Sequence, residues 1–162
     1  MEFVGFFQEY GEYMFRILLS AILGFLIGLD REFKNKPAGV KTYMYVTVAC
    51  TLLTILSIVG VEKYGEINHL VRMDPLRLAA QIVSGLGFLG AGVILKDGFQ
   101  IRGLTSAAMI LFSGGVGIGI GVGFYEVVIF SIIVAWLLAK LGEKLERRME
   151  ARLNKEQENK TP

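Results

Sequence analysis

The charged residues cluster, and the densest cluster lies between two hydrophobic blocks. Asp30-Arg31-Glu32 is followed by Lys34 and Lys36, then by Pro37-Ala38-Gly39 and Lys41-Thr42. On a helix, Asp30–Lys34 and Glu32–Lys36 stand four apart, the spacing at which opposite charges pair. Such pairing would make the segment a charge-balanced helix end. The alternative is a binding site, completed by Asp97 and Arg102 of a later loop. Mg²⁺ keeps several of its waters and takes one or two carboxylates, so Asp30 and Glu32, or either with Asp97, would suffice to hold it. The interspersed Arg31, Lys34, Lys36 and Lys41 speak against a bare cation site and suit an anionic partner.

A second cluster lies within an apolar stretch. Arg77, Gln81, Gly85 and Gly92 share one face of a helix over 78–95, and Ala80, Ser84, Gly87 and Ala91 share another. Ser20, Gly24 and Gly28 repeat the four-residue spacing earlier in the chain. Small residues at this spacing let helix backbones approach closely in lipid. Gly24, Gly28, Gly85, Gly87, Gly90 and Gly92 are therefore expected at helix-packing surfaces, and the first or third helix is expected to pair two copies of the chain. Gly85–Gly90 also spells GxGxxG, but a dinucleotide loop needs a strand before it, which an uncharged span does not supply. Arg16 and Glu126 lie near span ends, where each reaches water, although an ionisable group in a span is also a candidate pathway residue. Cys50 is expected as an apolar filler and His69 as a surface residue. The sequence contains no nucleophile–base pair, phosphate loop or multi-cysteine metal cluster, so an enzyme is not expected.

The elements that position these residues are membrane spans. The 162-residue chain is 53% apolar, with 20 Gly and a mean hydropathy of +0.53. Counting Gly, about 65% is apolar, against roughly 45–50% in soluble domains. A span needs about 20 apolar residues. Candidates are 13–29, 43–61, 78–95, 104–120 and 124–140, with the Gly114–Gly123 run as the turn between the last two. Residues 1–142 form the five-helix membrane domain. Residues 143–162 form a helical tail, in which Leu138, Leu141, Leu145, Met149 and Leu153 continue at helical spacing before a frayed end. Residues 30–42 carry four Lys or Arg, 96–103 two and 140–162 seven, whereas 1–12 carry none and 62–77 three. By the positive-inside rule the N-terminus is outside and the tail cytoplasmic. Residues 1–12 also hold three Glu and no basic residue, unlike a signal peptide. A net charge of +2 does not point to nucleic acid.

Three segments carry a family resemblance: DRE…KPAGVKT (30–42), DPLRLAAQIVSGLGFLGAGVIL (74–95) and RGLTSAA (102–108). They resemble the signature segments of the MgtC/SapB family of bacterial inner-membrane proteins. The resemblance implies a five-helix, all-α, multi-pass protein of the bacterial inner membrane, linked to growth when Mg²⁺ is scarce. It implies action by binding or regulating other membrane proteins; direct transport of Mg²⁺ or another small ion is the alternative. The matching positions include Gly24, Gly28, Asp30, Arg31, Glu32, Pro37, Gly39, Lys41, Thr42, Asp74, Pro75, Arg77, Gln81, Gly103, Leu104 and Thr105. The candidate ion or partner site thus comprises Asp30, Arg31, Glu32, Lys41, Thr42, Arg77, Gln81, Asp97, Arg102 and Thr105. Asp30 and Glu32 are the possible Mg²⁺ ligands. Departures are Asp30 for a common Glu, Lys41 for Arg and Tyr43 for His. Many relatives carry a soluble C-terminal domain, so a short form, ending at Pro162 without it, is expected.

Overall fold

A computed structural model describes residues 2–64, 74 and 76–158. The order is α1 (Glu2–Phe33), α2 (Val40–Tyr64), α3 (Leu76–Gly92), β1 (Leu95–Asp97), β2 (Gln100–Arg102), α4 (Leu104–Val122) and α5 (Tyr125–Glu158). The chain divides into two units, Met1–Tyr125 and Glu126–Pro162. Four helical stretches are long and apolar enough to cross a membrane: Tyr10–Phe33, Val40–Lys63, Leu104–Val122 and Tyr125–Met149.

The helix ends follow from local chemistry. Asn35 takes a left-handed φ of 49°, and Lys36 N–H donates to the Arg31 carbonyl while Asn35 N–H donates to Glu32. This is the Schellman arrangement, which satisfies the last carbonyls of α1. The same arrangement ends α4 at Gly123, whose φ is 95°. The turn expected across Gly114–Gly123 is therefore confined to Gly123 and Phe124; the rest of the run is helical.

That helix is retained because its glycines lie against a neighbour. A Cβ on Gly121 would stand 2.6 Å from Thr54 Cβ, and one on Gly117 would meet the Thr47 carbonyl and Cys50. Close backbone approach is what Gly permits between helices in lipid, and it outweighs the propensity cost of about 1 kcal/mol per Gly. On the other side of α2, a Cβ on Gly24 would lie 2.7 Å from Thr47 Oγ1, and one on Gly28 2.5 Å from Val40 Cα. Helices α1, α2 and α4 thus form one close-packed group. The Ser20–Gly24–Gly28 face is buried within a single chain, so it cannot pair two copies as the sequence suggested.

Hydroxyls line this seam without opening it. Thr47, Thr51 and Thr54 each donate to the carbonyl four residues earlier, at 2.8, 3.0 and 2.7 Å, and Thr51 Oγ1 also lies 2.9 Å from the Gly117 carbonyl. Ser20 and Ser113 donate to carbonyls three residues back. A buried hydroxyl satisfied on its own helix needs no water. Apolar packing completes the core: Ala38, Tyr43, Val46, Cys50, Ile82, Leu86 and Ile110 form one buried cluster.

The third element departs from the expected span over 78–95. Helix α3 ends at Gly92 after 17 residues, about 25 Å at 1.5 Å per residue and short of the ~30 Å hydrocarbon layer. Its end tightens through Val93 N–H to Gly90 and Ile94 N–H to Ala91. Leu95 is already in an antiparallel hairpin that pairs it with Arg102. The hairpin turns on Gly98, with a φ of 59°; Asp-Gly at a two-residue turn is a strong hairpin signal, and a plain loop was expected here.

In the second unit, α5 continues unbroken through residues 142–143 to Glu158. The helical tail is present and extends past residue 154, where fraying was expected; residues 159–162 lie outside the described residues. Lys140 Nζ lies 3.8 Å from the centroid of the Trp136 ring, a cation–π contact. Leu138, Leu141, Leu145 and Met149 are exposed along the helix.

Candidate functional site

The charged segment after α1 does not behave as one cluster. Asp30 Oδ2 and Lys34 Nζ pair at 3.2 Å, as their spacing requires. Glu32 does not pair with Lys36; its Oε2 instead accepts from Val40 N–H at 3.0 Å. The carboxylate thereby caps α2, whose first amides would otherwise be unsatisfied, and it favours the positive end of that helix dipole. Gly39 is required beside it, since a Cβ there would collide with the Glu32 carboxylate. Both candidate Mg²⁺ ligands are thus engaged by this chain's own donors. Among the described residues no three His, Cys, Asp or Glu side chains gather into a metal-binding group.

Arg31 turns the other way. It is 6% exposed, and its Nη2 donates to Ser106 Oγ at 3.1 Å, bridging the end of α1 to the first turn of α4. The Tyr43 hydroxyl stands against the same guanidinium and donates to the Ser106 carbonyl at 3.4 Å. Arg31 Nε has no hydrogen-bond partner. Burial of a guanidinium among neutral hydroxyls has no counterpart in the sequence pattern. Ser106 was visible only as a letter of RGLTSAA, and Tyr43 only as a substitution for His.

The remaining expected residues separate. Lys41 and Thr42 are exposed on the first turn of α2, and Thr105 is exposed on the first turn of α4. Asp97 and Arg102 are exposed in the hairpin, with Arg102 Nη2 3.4 Å from Gln100 Oε1. No hydrogen bond or ion pair joins Asp97 to Asp30 or Glu32 among the described residues. Arg77 and Gln81 are exposed on α3. Gln81 borders an open groove of about 550 Å³ between α2 and α3, otherwise apolar, with Tyr45, Cys50, Leu53, Ile82 and Leu89 among its walls.

The small-residue positions also divide. Gly90 faces Ala107 of α4 at 3.6 Å, an ordinary contact, but Gly85, Gly87 and Gly92 have nothing within 4 Å of a Cβ position. Two faces of α3 are therefore open, against the expectation that all six glycines pack within the chain.

Arg16 is tied down rather than snorkelling freely. Its Nε donates to the Tyr125 hydroxyl at 3.1 Å and its Nη1 to the Gly121 carbonyl at 2.6 Å, and it pairs with Glu12. The guanidinium satisfies a carbonyl in the last turn of α4, where a cation is favoured. Glu126 is exposed in the first turn of α5. Cys50 is buried, as a small filler. His69 and Pro75 lie outside the described residues.

Comparison with known proteins gives this arrangement its relatives. Residues 17–148 match the MgtC family. The chain belongs to the MgtC family. It is 49% identical over 121 residues to an uncharacterised protein of Haemophilus influenzae, covering 74% of this chain and 51% of that protein. It is 40% identical over 138 residues to protein SapB of Bacillus subtilis, covering 80% and 59%. Escherichia coli strain K12 has a relative, YhiD, provisionally named a magnesium transporter, that is 36% identical over 138 residues and covers 85% and 64%. The chain spans about half to two thirds of the length of these relatives. No solved structure matches it significantly. The MgtC-family match takes in the Arg31 bridge, the α2 cap and the α3 glycines, and identifies a multi-pass membrane protein.

Proposed function

We propose that the chain is a non-enzymatic protein of the bacterial inner membrane that serves magnesium homeostasis by binding another membrane protein through α3. The observation that carries this reading is the open face of α3. Gly85, Gly87 and Gly92 have nothing within 4 Å, whereas Gly24, Gly28, Gly117 and Gly121 are filled by neighbouring helices. A helix surface that admits close backbone approach, and that this chain leaves unoccupied, suits a second transmembrane helix. The insertion we adopt has the N-terminus outside and the α5 tail cytoplasmic. It rests on the Lys and Arg distribution, with α3 as a fifth, short crossing. The magnesium link rests on family membership and on the name of the Escherichia coli relative.

Transport of Mg²⁺ is the second reading, favoured by that name and by Arg77 and Gln81 on α3. A dehydrating Mg²⁺ needs oxygen ligands in near-octahedral array. The groove beside α3 offers one carboxamide among apolar walls, and the hydroxyls of the α2–α4 seam are already committed to carbonyls. The test places a photo-crosslinking residue at position 85 or 92, with position 18 on the exposed side of α1 as control, in cells limited for Mg²⁺. Adducts to one membrane protein from positions 85 and 92 but not 18 support the reading. Identical adducts from all three positions, or lipid adducts alone, refute it.

A further inference from the structure

Helix α4 starts with an unusual charge balance. Its N-cap is Gly103, which has no side chain to cap it, and its first turn contains no acidic residue. A helix N-terminus presents unpartnered amides and about half a positive charge. The Arg31 guanidinium, more than nine-tenths buried, is directed at that same turn through Ser106, and its Nε is unpartnered. Its polar neighbours are the neutral hydroxyls of Ser106 and Tyr43. The ion pairs among the described residues, Arg16–Glu12 and Lys34–Asp30, do not include it. A buried charge with no counter-charge is strongly unfavourable. Two positive poles therefore converge, and the carboxylates nearest in the chain, Asp30 and Glu32, are committed to Lys34 and Val40 N–H.

We propose that the first turn of α4 and Arg31 form a binding site for a phosphate group, carried free or on a lipid headgroup. The donors point to that chemistry. The amides of Leu104 and Thr105 and the Thr105 hydroxyl lie on the exposed side of the turn. Ser106 lies beneath them, accepting from Arg31 while its own hydrogen is free to be given. A tetrahedral oxyanion has enough acceptors for such divergent donors, and helix N-termini and guanidinium groups are both recurrent phosphate partners. The adjoining segment 30–42 adds four basic residues against two acidic ones, a local positive field around the entrance.

The test uses the full chain purified in a phosphate-free maltoside detergent, read by the midpoint of thermal unfolding. One arm titrates inorganic phosphate against chloride at matched ionic strength. The other adds phosphatidylglycerol against a neutral glycolipid. Bound ligand raises the midpoint in a saturable way. The parent is expected to be stabilised in at least one arm, with apparent affinity falling at least about tenfold in Arg31→Lys, which loses the planar fork, and in Ser106→Ala. A shift with phosphate alone assigns the free anion, a shift with the lipid alone assigns the headgroup, and a shift in both assigns the group irrespective of its carrier. If Arg31→Lys does not fold, Ser106→Ala and Thr105→Val decide. No stabilisation in either arm overturns the proposal, as does an equal shift in the parent and every folded variant.

Discussion

Gly117→Ala compared with Gly115→Ala tests the packing of α4 within two residues of one helix. At position 115 a Cβ meets nothing within 4 Å, so the substitution should follow helix propensity and stabilise by up to about 1 kcal/mol. At position 117 the added carbon would lie 2.8 Å from Cys50 Cβ and 3.2 Å from Thr47 C, besides meeting the Thr47 carbonyl oxygen. Ordinary carbon contacts begin at about 3.5 Å, so α2 and α4 must part by roughly 0.7 Å or more. Neither obstacle is the end of a flexible side chain that could swing away. Overpacking of this kind costs about 1–3 kcal/mol. The same parting stretches the Thr51 Oγ1 to Gly117 carbonyl bond from 2.9 Å, with about 0.6 kcal/mol typical of such bonds between membrane helices. After the propensity gain, the net loss is about 1–2 kcal/mol. The assay is equilibrium unfolding of both variants in mixed micelles. Equal stabilities, or a Gly117→Ala at least as stable as the parent, would refute the close α2–α4 approach.

Other expected outcomes follow from single contacts. Glu32→Ala removes the carboxylate that accepts from Val40 N–H and should cost about 1 kcal/mol, as loss of a helix cap does; unfolding midpoints at matched detergent measure it. Arg16→Lys keeps the charge but cannot serve Tyr125 and the Gly121 carbonyl together, and should destabilise by about 1–3 kcal/mol, read in the same unfolding assay. Gly85→Leu meets no neighbour in the chain, so folded yield and unfolding midpoint should stay at parental values while the position-92 crosslink to the partner is lost. A fall in folded yield would mean that α3 is packed by its own chain.

Much of the fold was legible because membrane spans are long and apolar. The ends of α1, α2 and α4 fall within a few residues of their hydrophobic runs, and Asp30–Lys34 forms as helical spacing requires. The shortness of α3 was not legible, because Val93–Leu95 are as apolar as the helix before them. What stops the helix is a hairpin turning on Asp97-Gly98, a two-letter signal masked by the apolar run. The Gly114–Val122 segment read as a turn because Gly is a poor helix former. It remains helical because its partner is α2, and a partner helix is a tertiary fact. At the candidate site, carboxylate spacing identified Asp30 and Glu32 but not their occupants. Sequence distance also concealed that Arg31 reaches Ser106, 75 residues away.

The most direct test of the central claim, that this chain binds a partner rather than moves an ion, is Mg²⁺ entry into liposomes containing only the purified protein. A trapped Mg²⁺-sensitive dye reports entry, and folded content is verified in the same vesicles. The account expects entry no faster than in protein-free vesicles, and no change on Arg77→Ala or Asp30→Asn. Saturable entry that either substitution abolishes, with folded content unchanged, would contradict it and make the chain a transporter.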